Sequence, residues 1–269
     1  MLAARGLPET DKLDSFALLE RLDEWARQVR IEICRHLYRF DTTSQRPASE
    51  FCYSNSLGRF FCWYMLQVLQ EDCGVCYHPD RKFQPDFSQP EDLFIHGIVA
   101  ENGRGGTCAS IPIVYVAVGR RLGLPVYLVE TRGHLFFRWD DPKGTLLQWQ
   151  NPDLNLWIAP DRFNVEGSGE GIAYYPDSHY IQWPELWQEH DFTHGRYLRS
   201  MTVEEDLAAF LIQFKVMMSY EPIVLTTRAL YLLVVALTAY AYFTRQFSLH
   251  YAWCSLISTV FAALFLLLY

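Results

Sequence analysis

Apolar residues recur every three or four positions through residues 13–40, where Leu18, Leu22, Trp25, Val29, Ile33 and Leu37 are interleaved with charged ones. That spacing predicts an amphipathic helix. A polar loop follows at 41–50 (DTTSQRPASE), and then a second helical pattern from about Ser56 to Gln70, rich in Phe60, Phe61, Trp63, Leu66 and Leu69. Residues 71–92 are polar and punctuated by glycine and proline, which predicts a long surface loop.

From residue 93 the texture changes. The run LFIHGIVAENGRGG leads into TCASIPIVYVAVGRRLGLP, where Ile111, Val114, Tyr115, Val118 and Leu122 share one helical face. Gly123 and Pro125 supply a stop signal. VYLVETRGHLFFRWD then reads as extended, with Val126 and Leu128, and later Leu135, Phe137 and Trp139, alternating. Asp141-Pro142-Lys143-Gly144 is a turn, and residues 145–166 hold one or two further strands. Thr202-Val203-Glu204-Glu205 is a capping-box pattern that opens a helix through about Met217.

The segments Ile223 to Phe243 and Leu249 to Tyr269 are predominantly apolar, and only Arg228 is charged within them. At about 1.5 Å per residue either is long enough to cross roughly 30 Å of hydrocarbon. Two readings stand: a transmembrane hairpin turning at Thr244 to Ser248, or two buried helices. The absence of a polar face favours the membrane. The pattern as a whole predicts an α+β fold in three parts: an N-terminal helical region at 1–92, a core at 93–220, and a hydrophobic helical hairpin at 221–269.

Composition narrows the function. Half of the residues are hydrophobic, which excludes a disordered chain. A formal charge of -8, with no run of Lys or Arg, gives no footprint for nucleic acid. The N-terminal sequence lacks the apolar centre of a secretory signal, so the expectation is a membrane-associated protein with its soluble part on the cytoplasmic side. The cysteines, at 34, 52, 62, 73, 76, 108 and 254, are odd in number and not spaced as a disulfide framework. Cys73-Gly-Val-Cys76 lacks the second ligand pair a zinc site needs, and no HExxH-type pattern occurs. No metal and no cofactor is expected.

The candidate chemistry centres on Cys108. It follows a glycine-rich Gly103-Arg104-Gly105-Gly106 and precedes the helical pattern, where unpaired N–H groups and the helix dipole stabilise a thiolate. Pro112 requires the helix to begin late enough to place it in the first turn. A nucleophilic cysteine needs a base, and His134 starts the extended run that follows.

GTCASIPIVYVAVGRRLGLP, followed by GHLFFRW and RFNVEG, resembles the transglutaminase-like superfamily, in particular a bacterial branch with a Gly-x-Cys helix, a Leu-Gly-x-Pro stop and a Gly-His strand. The resemblance covers roughly residues 90–200. It implies a papain-related core, a cysteine helix packed on an antiparallel sheet. It makes Cys108 the nucleophile and His134 its base, and it places the third, orienting residue on the strand containing Arg162 to Gly167. Glu166 or Asn164 fills that role. Asn102 is the candidate second oxyanion donor. The implied activity is acyl transfer from a protein, peptide or other amide, as hydrolase or acyltransferase. An idle domain serving as a binding module is the alternative.

Overall fold

The computed structural model describes residues 13–43, 53, 56–81, 89–149 and 155–209. Two compact units divide the chain, at 1–217 and 218–269. The hydrophobic segments at 223–243 and 249–269 lie outside the described residues. Among the described residues no helix is long and apolar enough to cross a membrane.

Helix α1 (Ser15–Thr43) carries the apolar stripe read from the sequence. Leu18, Leu22, Trp25, Val29 and Ile33 are buried, and Leu37 packs half-buried beside them. Ser56 caps helix α2 (Leu57–Gln67) by accepting the Arg59 N–H. The helix runs on into a π-helical turn, Val68–Asp72. Two short helices, α3 (Pro90–Leu93) and α4 (His96–Val99), lead into the glycine-rich segment.

Helix α5 (Ile111–Arg121) holds Pro112 in its first turn, where the missing N–H costs nothing. It ends in a Schellman arrangement. The Leu124 N–H donates to Gly119 O and the Gly123 N–H to Arg120 O, with Gly123 at φ 76°. Ile111, Val114, Tyr115, Val118 and Leu122, the predicted face, are all buried.

Strands β1 (Val126–Thr131), β2 (His134–Asp141) and β5 (Asp161–Val165) form an antiparallel sheet in the order β1-β2-β5. Strands β3 (Thr145–Gln148) and β4 (Asn155–Ile158) form a separate hairpin. Phe137, Trp139, Phe163 and Val165 face the helices, and one hydrophobic core joins them to residues of α1, α2 and α5. Among the described residues, the N-terminal helices therefore share one core with residues of α5 and the sheet. The fold is α+β, with an antiparallel sheet covered by helices.

Helices α6 (Asp177–Tyr180) and α7 (Glu189–Thr193) lie in the aromatic-rich stretch after β5. At Thr202 a capping box opens the expected helix. The Glu205 carboxylate accepts the Thr202 N–H, the Thr202 hydroxyl accepts the Glu205 N–H, and 203–209 are helical.

Candidate active site

Cys108 sits on a turn three residues ahead of α5, rather than on the helix itself. That turn is pinned from below. The hydroxyls of Thr107 and Ser110 both donate to Asp92 O, at 2.6 and 3.3 Å, while Thr107 and Ser110 also accept the N–H groups of Ala109 and Thr107. The glycines before it serve a close backbone approach. Gly106 N–H donates to Cys76 O and Gly106 O accepts from His78 N–H, so residues 76–78 run alongside. At Gly105 (φ 111°) a Cβ would lie 2.8 Å from Cys76 O, which excludes any side chain there.

This approach delivers Tyr77. Its hydroxyl accepts the Cys108 N–H at 3.3 Å. Burial first, and then the neighbouring Cys108 sulfur, push the Tyr77 phenol well above its ordinary value, so it stays protonated and keeps a proton to donate. The segment expected to be a surface loop thus buries Val75 and places Tyr77 at the candidate nucleophile. No sequence pattern marks Tyr77.

His134 is the first residue of β2, set by the two-residue turn Arg132-Gly133 with Gly133 at φ 71°. Its Nε2 lies 2.7 Å from Glu166 Oε2, and the imidazole side chain is only 4% exposed. Burial, the largest single influence, pulls its pKa down, but hydrogen bonds and charge from Cys108 and Glu166 outweigh it and lift the group to about 9. With Nε2 on the carboxylate, Nδ1 is the nitrogen left to exchange a proton with sulfur.

Glu166 follows β5 and is held on both oxygens. Ser168 donates its N–H (3.1 Å) and its hydroxyl to Oε1, and the Tyr180 hydroxyl reaches Oε2 at 3.4 Å. Burial opposes its charge, yet the His134 and Ser168 interactions prevail and hold the carboxyl below its usual range. The Gln70 amide, on the π-helical turn, fixes the loop beyond. It donates to Gly167 O at 3.2 Å and accepts the Gly171 N–H at 2.9 Å. Trp183 stands edge-on to the His134 ring at 4.8 Å, and Tyr180 lies parallel to it at 6.2 Å.

Of the two orienting candidates, Glu166 meets the imidazole and Asn164 does not. Asn164 Oδ1 instead accepts from Arg138 Nε at 2.6 Å, and its amide donates to Tyr175 O and Asp177. Arg138, buried on the same sheet face, needs those acceptors. Asn102 is exposed in the turn after α4, and the Cys108 N–H is taken by Tyr77. Among the described residues no group of three or more His, Cys, Asp and Glu is placed to hold a metal ion.

A model of the transglutaminase-like superfamily matches residues 17–155, more than half of the chain. The chain belongs to the transglutaminase-like superfamily. No curated protein and no solved structure matched it. The match takes in α1 and α2, in keeping with their share of the core, and it spans Cys108 and His134 while ending before Glu166.

Proposed function

We propose that this transglutaminase-like domain is a cysteine acyl-transfer enzyme with Cys108 as nucleophile, His134 as its acid–base partner and Glu166 as the orienting carboxylate. The observation that carries the reading is the buried imidazole interacting with the Cys108 thiol on one side and bonded to Glu166 on the other. A nucleophilic sulfur needs a base within reach to take and return its proton, and that base needs an orienting acceptor.

The steps follow from that arrangement. The Cys108 sulfur attacks an amide or ester carbonyl, forming the C–S bond and moving the carbonyl electron pair onto oxygen. The Cys108 N–H and the Tyr77 hydroxyl, with N and O 3.3 Å apart, are both close enough to reach that one oxygen. For this Tyr77 turns from acceptor to donor, a rotation of its O–H. Collapse of the intermediate breaks the bond to the leaving amine, which takes the His134 proton. Water or an amine then attacks the thioester, gives its proton to His134, and releases Cys108. The substrate class is a protein, peptide or related amide. We further propose that residues 223–269 tether the domain to a membrane, because the two segments have no polar face.

A thiol-directed test separates an enzyme from an idle binding module. With iodoacetamide near neutral pH, Cys108 should be alkylated faster than the exposed Cys34 and Cys76, and the excess rate should vanish in His134→Ala. Modification of Cys108 no faster than those two, unchanged by His134→Ala, sinks the enzyme reading.

A further inference from the structure

A cleft of about 470 Å³ lies at the outer edge of β5. Its volume is within the range of small-molecule sites. Arg59, from α2, lines the cleft. Its guanidinium carbon lies 4.7 Å from the Tyr174 ring centroid and 5.2 Å from that of Phe163. Arg162 and Arg138 line the cleft from β5 and β2.

The three cations are not equivalent. Arg138 is committed, with its three nitrogens on Asn164, Leu198 O and Asp177. Arg162 faces Asp140 at 3.6 Å, but its side chain is 54% exposed and Asp140 also accepts from Ser200 at 2.5 Å. Asp140 and Asp177 are taken up by Arg162 and Arg138, whereas no carboxylate among the described residues lies within ion-pair distance of Arg59. A guanidinium laid on aromatic rings keeps its in-plane N–H donors free, in the fork that matches a carboxylate or phosphate.

We infer that this cleft binds a small anion, a carboxylate or phosphate on a flat apolar body, with the anion on Arg59 and Arg162 and the body within the cleft. Cys108, His134 and Glu166 are not among the residues that line this cleft, although Asn164, which is, lies two residues before Glu166. Binding there needs no chemistry at Cys108.

The test is calorimetric titration and thermal unfolding of the full chain with phenyl phosphate, inorganic phosphate, benzoate and neutral benzamide. Saturable binding of phenyl phosphate or benzoate, with none of benzamide, is expected. The tighter of the two tells whether the head is phosphate or carboxylate, and inorganic phosphate alone should bind more weakly than phenyl phosphate. Arg59→Gln should weaken binding about tenfold or more, the cost of one charge-assisted contact. Arg162→Gln alters an exposed side chain and should weaken it without unfolding the protein. Cys108→Ser should bind like the unaltered chain, which keeps this result independent of the enzyme reading. No saturable binding of either aromatic anion, or equal binding by the Arg59→Gln/Arg162→Gln double variant, overturns the inference.

Discussion

The Tyr77 hydroxyl accepts the backbone N–H of Cys108 at 3.3 Å across 31 residues of sequence. An acyl-transfer site needs that N–H for the developing oxyanion, so a group already resting on it either shares the oxygen or obstructs it. The raised phenol argues for sharing, since Tyr77 keeps its proton beside sulfur.

Tyr77→Phe should therefore slow acylation of Cys108 by p-nitrophenyl acetate by roughly a hundredfold, the usual loss for one oxyanion donor. Alkylation by iodoacetamide passes through no oxyanion and should change little. The two rates, followed by mass spectrometry of the intact chain, check this. Acylation at the unaltered rate would assign Tyr77 to packing alone.

Glu166→Gln and Asn164→Ala should separate cleanly although the residues are only two apart in sequence. The first removes the carboxylate charge from the imidazole, so the His134 pKa falls from about 9 and the alkaline limb of acyl transfer moves to lower pH. The second leaves that limb in place and strands a donor of buried Arg138, for a loss of about 1–3 kcal/mol in unfolding free energy. A pH–rate profile and a denaturant titration of each variant distinguish them.

Much of this was legible in the chain. The apolar period of three to four residues located α1 and α5, and Gly123 marked the end of α5, because those features depend on near neighbours. Cys108 and His134 were legible as residues at the starts of a helical and an extended pattern. The choice between Glu166 and Asn164 was not. It depends on the register that sets Arg138 opposite Asn164. Tyr77 was invisible because its position arises from a backbone pairing with Gly106, within a stretch whose composition reads as loop. The start of α5 at Ile111, beyond Cys108, follows from the Thr107 and Ser110 bonds to Asp92, another contact between separate segments.

Gly105→Ala tests that pairing. A methyl group there meets Cys76 O at 2.8 Å with the backbone at φ 111°. The expected cost is about 1–3 kcal/mol of stability. Displacing residues 76–78 should also move Tyr77, so acylation by p-nitrophenyl acetate should fall with iodoacetamide reactivity largely kept, as in Tyr77→Phe. A variant that loses stability alone would show that Tyr77 does not depend on the glycine.

The stability of the fold should depend on pH through His134. Its pKa is raised from 6.5 to about 9, so the folded state binds the proton more tightly than the unfolded chain does. The contribution is fully present below about 6.5 and is lost as pH rises through about 9. Its size is on the order of 3 kcal/mol, counted once for the interaction shared with Cys108 and Glu166. Glu166, whose pKa is lowered, contributes above about 4.5, and that part is lost as pH falls through its folded-state value. Stability against urea should therefore be greatest between about pH 5 and 6.5 and decline toward pH 9. In His134→Ala the decline above pH 6.5 should flatten. An equal decline in that variant would place the pH sensitivity on other groups and leave the imidazole uncharged in the folded state.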